Sequence, residues 1–404
     1  MSKTLTVGII GGGIGGVALA RALLQAGIEV RLFEKAAAFG EVGAGIQMTP
    51  NAVKVLQALG LKEGLEKIAF LPQALVGRNW KTAQENFRTP LAGECPRLYG
   101  APFYHVHRAD LHALLASDLP ADITQFNTGC VGVEQRGDKA AALFEDGSEF
   151  EADLIVGADG VRSTVRGALF GAEAPNFTGK MCYRAVVPFE HMPDFVSPDS
   201  SFWMGPRAHV VTYYVRCGAA VNIVAVTETS NWVEESWSVP SSREELLGVF
   251  SGWHENVIKL FERTDTVFKW GLFDRDPMKT WSVGHVTLLG DAAHPMLPFL
   301  SQGAAMAIED AFVLAKALAA KGHDIPAALA AYEGERLPRT SRVQLESRER
   351  GKTYHKQSRF AQFKRDLSYK IKGLFNPHAS GIQASWVYAY NATDFDPNRV
   401  KTAA

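Results

Sequence analysis

The chain is poor in cysteine: Cys95, Cys130, Cys182 and Cys217 are all it has. They form no CxxC pair and show no metal-ligand spacing. That excludes a disulfide framework and a zinc module, and it fits free thiols in a reducing cytosol. No stretch reaches the ~18–20 uninterrupted apolar residues of a membrane span. Val7–Leu24 comes nearest, but six of its residues are glycine, Arg21 interrupts it, and no sizeable basic segment precedes it. It reads as strand, turn and helix, not as a signal peptide. A net charge of −1 provides no global field for nucleic acid or a membrane surface. The histidines show neither HExxH nor facial-triad spacing, so no metal is expected. Ser163 and Ser301 lie outside any GxSxG elbow, so hydrolase chemistry has no support. There are no repeats and no low-complexity segments. What remains is 404 residues, 47% hydrophobic and 21% charged, enough to bury a large core. The expectation is a cytoplasmic globular protein, monomer or homodimer.

Hydrophobic patterning divides the chain. Thr4–Ile10 is an apolar strand, followed by a glycine turn, a helix over Gly15–Ala26 and a second buried strand, Val30–Phe33. This β-α-β unit opens a doubly wound α/β sheet. Ala52–Leu59 and Leu111–Ser117 have helical spacing. Gly129–Val156 alternates strand and turn, with Glu145-Asp146-Gly147 as a hairpin signal. The middle is rich in Val, Tyr, Trp and Phe. It predicts antiparallel strands at Met181–Val187, Ser201–Met204, His209–Val215 and Val221–Thr227, then one helix over Ser242–Phe261. Val286–Leu289 returns to the first sheet as a strand, and Gly303–Lys321 is a helix. The predicted organisation is interleaved. A doubly wound, Rossmann-like domain covers 1–179 and returns at 280–335. A mostly antiparallel substrate domain covers 180–279, and a helical tail covers 336–404. Between Arg336 and Lys372 the tail carries twelve Lys and Arg against three acids. That balance predicts a long solvated helix or one packing in a dimer.

Three motifs carry the cofactor argument. Gly11-Gly12-Gly13-Ile14-Gly15-Gly16 satisfies GxGxxG between a strand and a helix. Gly11 permits the tight turn, Gly13 lets the backbone approach a pyrophosphate, and Gly16 lets helix and strand pack closely. The helix N-terminus offers free N–H groups and partial positive charge to phosphates. Glu34, at the end of the second strand, is placed to accept from ribose hydroxyls. These features predict a dinucleotide without choosing between NAD and FAD. Gly157-Ala158-Asp159-Gly160-Val161-Arg162-Ser163 and Leu288-Leu289-Gly290-Asp291-Ala292-Ala293-His294-Pro295 each follow a buried strand. Asp291 at a strand end can accept from a ribityl hydroxyl. The helix after Gln302-Gly303-Ala304 would aim its N-terminus at a reduced, anionic flavin. In this order the three motifs point to FAD.

Together GGGIGG, GADGVRS and LLGDAAHPMLPFLSQGAAMAIEDA resemble the single-component FAD-dependent aromatic hydroxylases, which share the plan of para-hydroxybenzoate hydroxylase. FGEVGAGIQ, YHVHRADLHALL and Tyr183-Arg184 resemble the salicylate, 3-hydroxybenzoate and 6-hydroxynicotinate hydroxylases in particular. The resemblance covers nearly the whole chain. It implies an enzyme that hydroxylates a small phenolic aromatic acid with NADH or NADPH and O2, through a flavin C4a-hydroperoxide. It implies that Gly11, Gly13, Ile14, Gly15 and Gly16 hold the FAD pyrophosphate, and Glu34 with Lys35 the adenosine ribose. Gln47 would lie near the isoalloxazine, and Arg108 by the phosphate or ribityl side. Cys130 would touch adenine through its backbone. Asp159 would serve FAD placement and NADH access. Asp291, Gly303, Ala304 and Ala305 would line the ribityl and pyrimidine end.

Such chemistry needs a proton acceptor near the phenol and a dry pocket. His209, Val211 and Tyr213 share one face of a strand by the period of two. By pattern alone this is a half-buried strand with a satisfied core histidine. The resemblance, in which related enzymes have a His and a Tyr at matching positions, makes His209 and Tyr213 substrate contacts, with Gln47 as a third. The 6-hydroxynicotinate enzymes carry a His where this chain has Gln47, and another where it has Phe299. Some 3-hydroxybenzoate enzymes have a Gln at the place of Pro298. The apolar stretch Pro295–Leu300 therefore leans toward a benzenoid acid such as salicylate. The alternatives are the 6-hydroxynicotinate and 3-hydroxybenzoate reactions, or a flavin epoxidase or reductase acting on a non-aromatic substrate. His105, His107, His112 and His294 are expected to be structural or flavin-adjacent.

Overall fold

The computed structural model describes residues 4–40, 44–230, 239–375 and 385–399. Part of FGEVGAGIQ, eight residues of the middle segment and the end of the tail therefore lie outside the described residues. A five-stranded parallel sheet has the order Val286–Leu288, Leu154–Gly157, Thr6–Ile10, Glu29–Phe33, Thr124–Gln125. Strands from the start, middle and end of the sequence thus share one sheet, as expected. Thr6–Ile10 and Leu154–Gly157 are near-continuous apolar runs because both faces are covered, one by helix Ile14–Gln25 and the other by strands Lys139–Phe144 and Glu149–Ala152. Helix Ile14–Gln25 packs along helix Gly303–Lys321, and buried Val17, Leu19, Leu23, Val313 and Leu314 join one core. The hairpin expected at Glu145-Asp146-Gly147 joins Lys139–Phe144 to Glu149–Ala152.

The second layer is an eight-stranded sheet. Its order is Val239–Ser241, Val267–Asp274, Asn176–Pro188, Ala220–Glu228, Ala208–Val215, Ser200–Gly205, Ala74–Asn79, Glu85–Pro90. All pairings are antiparallel except Ser200–Gly205 with Ala74–Asn79. The last two strands come from within 1–179, so this sheet draws on chain outside 180–279. The period of two divides Ala208–Val215 cleanly. Ala208, Val210 and Tyr214 enter a separate core with Trp203, Phe250 and Trp253. His209, Val211 and Tyr213 face the other way.

Two expectations need correction. The single helix over Ser242–Phe261 is two helices, Arg243–Val249 and Glu255–Phe261. Gly252, at φ 79°, breaks the run, and His254 Nδ1 restarts it by accepting from the Asn256 N–H at 3.2 Å. Buried Leu246, Phe250, Val257 and Leu260 keep helical spacing across the break, which hides it from periodicity. The basic stretch is not one solvated helix. It spans Ile325–Tyr354, which contains Pro338, and Arg359–Phe375. Arg336 is fully buried, because acids on a neighbouring helix neutralise it. Among the described residues, no helix is long and apolar enough to cross a membrane.

Candidate active site

The glycine turn is built by close approach. Gly11 has φ 104°, and a Cβ there would lie 2.5 Å from the Ala158 carbonyl oxygen. A Cβ on Gly16 would collide with the Gly11 carbonyl oxygen. Gly13 differs: its backbone is extended, and a Cβ would meet nothing within 4 Å. It caps helix Ile14–Gln25 with no side-chain hydrogen bond to the first-turn N–H groups. Open space beside uncapped helical N–H donors suits a pyrophosphate. Glu34 braces the turn, accepting from the N–H of Gly12 and of Ala36, each at 2.8 Å. Lys35 is exposed, and Cys130 opens strand Cys130–Arg136. Asp159 accepts from the Ser163 hydroxyl at 2.5 Å and from the Val165 N–H at 3.1 Å. It therefore anchors the start of helix Thr164–Phe170 beside the glycine turn. Burial raises its carboxyl above the usual range, against those hydrogen bonds.

At the other end an open cleft of ≈ 1280 Å³ brings together Gln47, Arg108, His209, Tyr213, Asp291, Gly303 and Ala304. Ala305 is wholly buried, one position further into the helix. The strand pair Gly45–Met48 and Tyr104–His107 forms one wall. Gly45 can sit there only without a side chain, since a Cβ would lie 2.6 Å from the Tyr213 ring. Its N–H donates to Asn222 Oδ1 at 2.7 Å, which locks that pair onto the large sheet. Two residues on, the Gln47 amide donates to Ser200 Oγ at 3.2 Å.

Asp291 faces the open cleft with protein around its other sides. This enclosure, with Asp310 adding to it, pushes its carboxyl up; His294 and Arg108 oppose. A Cβ at Gly303, at the start of helix Gly303–Lys321, would lie 3.9 Å from Asp291 Oδ1. The loop is held from beneath. Asp310 accepts from the Gly290 N–H at 3.2 Å, from His294 Nε2 at 2.5 Å and from Arg336 Nε at 2.7 Å. Arg336 also pairs with Glu309, which Arg339 and Asn51 bind as well. Burial alone would raise both carboxyls, but the neighbouring cations outweigh it and hold them low.

In the same cleft, the His209 ring stacks on Phe202 at 5.0 Å and meets Phe299 edge-on at 5.5 Å. Its Nδ1 lies 2.7 Å from His355 Nε2. Burial, then His355 and Lys180, hold its pKa well below the ordinary histidine range. Tyr213 packs against the buried His105 ring at 4.4 Å, and burial raises its phenol. His112 Nε2 lies 2.6 Å from the Gly12 carbonyl oxygen, and His294 is bound to Asp310.

A family model described as FAD binding domain matches residues 4–347. The chain belongs to that family, within its FAD-dependent aromatic hydroxylases. A 3-amino-4-hydroxybenzoate 2-monooxygenase of Streptomyces platensis is 41% identical over 96% of each chain. A 6-hydroxynicotinate 3-monooxygenase of Pseudomonas fluorescens is 39% identical, over 85% of this chain and 90% of that one. A salicylate hydroxylase in a substrate complex superposes with a TM-score of 0.79 at 29% identity, covering 97% of this chain and 99% of that one.

In this FAD-dependent protein the sequence argument gave no role to two residues, Arg184 in the cleft, quoted there only within Tyr183-Arg184, and His355 behind His209. Arg184 lines the cleft with its guanidinium 4.6 Å over Trp270, and its Nε is buried without a hydrogen-bond partner among the described residues. A charge inside the apolar strand MCYRAVV was the available signal. His355 comes from the end of a remote helix, where no local pattern marks it.

Proposed function

We propose that this flavoprotein hydroxylates a small phenolic aromatic acid with NAD(P)H and O2. The carrying observation is one cleft lined both by His209 and Tyr213 of the large sheet and by Asp291 and the N-terminus of helix Gly303–Lys321. Bound FAD supplies hydride acceptance from the nicotinamide and delivery of one oxygen atom from O2.

The chain's own residues do the rest. The turn Gly11–Gly16, with Ile14 at the first helical position, binds the pyrophosphate. Glu34 and Lys35 take the ribose, Cys130 lies against the adenine, and Asp159 holds the adjoining loop. Arg108, Asp291, Gly303, Ala304 and Ala305 frame the flavin end, where the helix dipole favours negative charge. Gln47 offers its amide across the cleft. Arg184, with its unsatisfied Nε, takes the substrate carboxylate. Tyr213 orients the phenol, and His209, kept neutral by burial, accepts its proton. Phe202, Phe299 and Leu300 exclude water.

Relatedness ranks 3-amino-4-hydroxybenzoate-like acids beside salicylate-like ones. A benzenoid ring is favoured over 6-hydroxynicotinate because Pro298, Phe299 and Leu300 line the cleft with apolar groups. The test is NADH and NADPH oxidation by the FAD-loaded enzyme across hydroxybenzoates, aminohydroxybenzoates and hydroxypyridine acids, with O2 uptake and product identification. At least one phenolic acid should accelerate oxidation and appear hydroxylated. If none does, the reading is wrong.

A further inference from the structure

We propose that His209, His355 and Glu228 form a proton relay that connects the substrate cleft to solvent. The proposal rests on the phenolic-acid reading of that cleft. Three contacts in series carry it. His209 lines the cleft, and its Nδ1 lies 2.7 Å from His355 Nε2, so Nε2 is the ring nitrogen left for a cleft ligand. His355 Nδ1 is buried with no hydrogen bond, and the nearest acid oxygen is Glu228 Oε1 at 3.5 Å. A small side-chain adjustment brings that gap within hydrogen-bond range. The other oxygen of Glu228 accepts from Arg207 Nε at 2.9 Å, and the Arg207 side chain is 61% exposed. One end of the chain of contacts is therefore in the cleft and the other is at the surface.

The contacts permit stepwise transfer from the cleft to the surface. In a neutral imidazole one nitrogen donates and the other accepts. With His209 donating from Nδ1 and His355 donating from Nδ1, both rings point their protons outward. The phenol O–H bond breaks as its proton goes to His209 Nε2. The His209 Nδ1 proton moves to His355 Nε2, and the His355 Nδ1 proton moves to Glu228. Each ring gains one proton and loses one, the phenolate stays in the cleft, and Glu228 passes its proton to water. Reversal returns a proton to the product and restores both tautomers. The charged groups around the pair favour passage over storage. Lys180 from strand Asn176–Pro188 acts on both rings, and Arg365 from helix Arg359–Phe375 acts on His355. Both disfavour an imidazolium, as does burial. Arg365 in turn pairs with Asp366, and Tyr354 packs edge-on against His209. Phe202 and Phe299 fix the His209 ring, so its Nδ1 cannot swing away without losing that stacking.

The test uses the FAD-loaded enzyme with 4-hydroxy-3-nitrobenzoate, whose phenolate is coloured. After a pH jump, the colour change of the bound probe reports how fast its proton reaches solvent. His355→Phe removes the middle nitrogens, and Glu228→Gln removes the outer acceptor at a partly exposed position that tolerates change. Both should slow the bound probe's proton exchange by roughly 10²-fold, with its Kd unchanged. Imidazole added to a His355→Ala variant should restore part of the rate. A purely structural role for His355 would move Kd or thermal stability and leave exchange fast. Probe binding with unslowed exchange in Glu228→Gln overturns the relay alone. Failure of the parent enzyme to bind the probe overturns the phenolic-acid reading and the relay with it.

Discussion

Arg336→Met tests how the site is supported. Arg336 is wholly buried and binds Glu309 and Asp310, which are buried too. Removing one partner of a buried ion pair costs about 3–5 kcal/mol, because a charge is left uncompensated. Here the lower end applies. Glu309 keeps Arg339 at 2.8 Å and the Asn51 amide, and Asp310 keeps His294 and the Gly290 N–H. At ~2.1 cal/mol/K per residue the unfolding entropy of a chain this long is ~0.85 kcal/mol/K, so a loss of ~3 kcal/mol lowers Tm by ~3–4 °C. The pH dependence should also change sign. In the parent protein both carboxyls are held low, so their stabilisation is present above the unfolded carboxylate pKa. It is lost as pH falls below about 4. Without Arg336, burial dominates at Asp310 and raises its pKa. The deficit then grows as pH rises through that value and shrinks in acid. Thermal melts from pH 4 to 8, followed by FAD release, read both effects. A Tm within 1 °C of the parent at every pH would refute the account of a neutralised buried network.

The other predictions concern the two ends of the cofactor site and the cleft wall. Gly13→Val should fold with the parent's thermal stability as apoprotein but bind FAD at least about tenfold more weakly, because its side chain points only into cofactor space. A matching loss of apoprotein stability would show that the space is not what matters. His209→Ala should retain FAD yet lose most coupled hydroxylation, read as product formed per NADH consumed; unchanged coupling would remove its role. Burial holds His105 near a pKa of about 3. Its unfolded pKa is ~6.5, so the unfolded state binds the extra proton first and stability is lost as pH falls from 6.5 toward 3. His105→Gln should flatten that part of the stability–pH curve.

The cofactor end was legible because its constraints are local. A strand, a turn needing Gly11 at positive φ, a helix starting at Ile14 and an acid at Glu34 all fall within one short β-α-β unit. Their chemistry follows from spacing. The Gly290-Asp291 loop and helix Gly303–Lys321 could be read for the same reason. The strand face of His209 and Tyr213 was also visible, since a period of two assigns sides. That period could not say which side faces a cleft.

The break at Gly252 was hidden, because apolar spacing continues across it. The basic stretch misled because charge counts do not show burial. Arg336 looks like a solvated cation until helix packing places Glu309 and Asp310 beside it. Sequence by itself thus determined the cofactor class and the alternation of each strand, both properties of neighbouring residues. Tertiary structure alone decided what crosses long separations: Gly45 against Tyr213, Arg184 in the cleft, and His355 behind His209. No local pattern encodes such contacts, because their energy comes from packing segments that lie far apart in the chain.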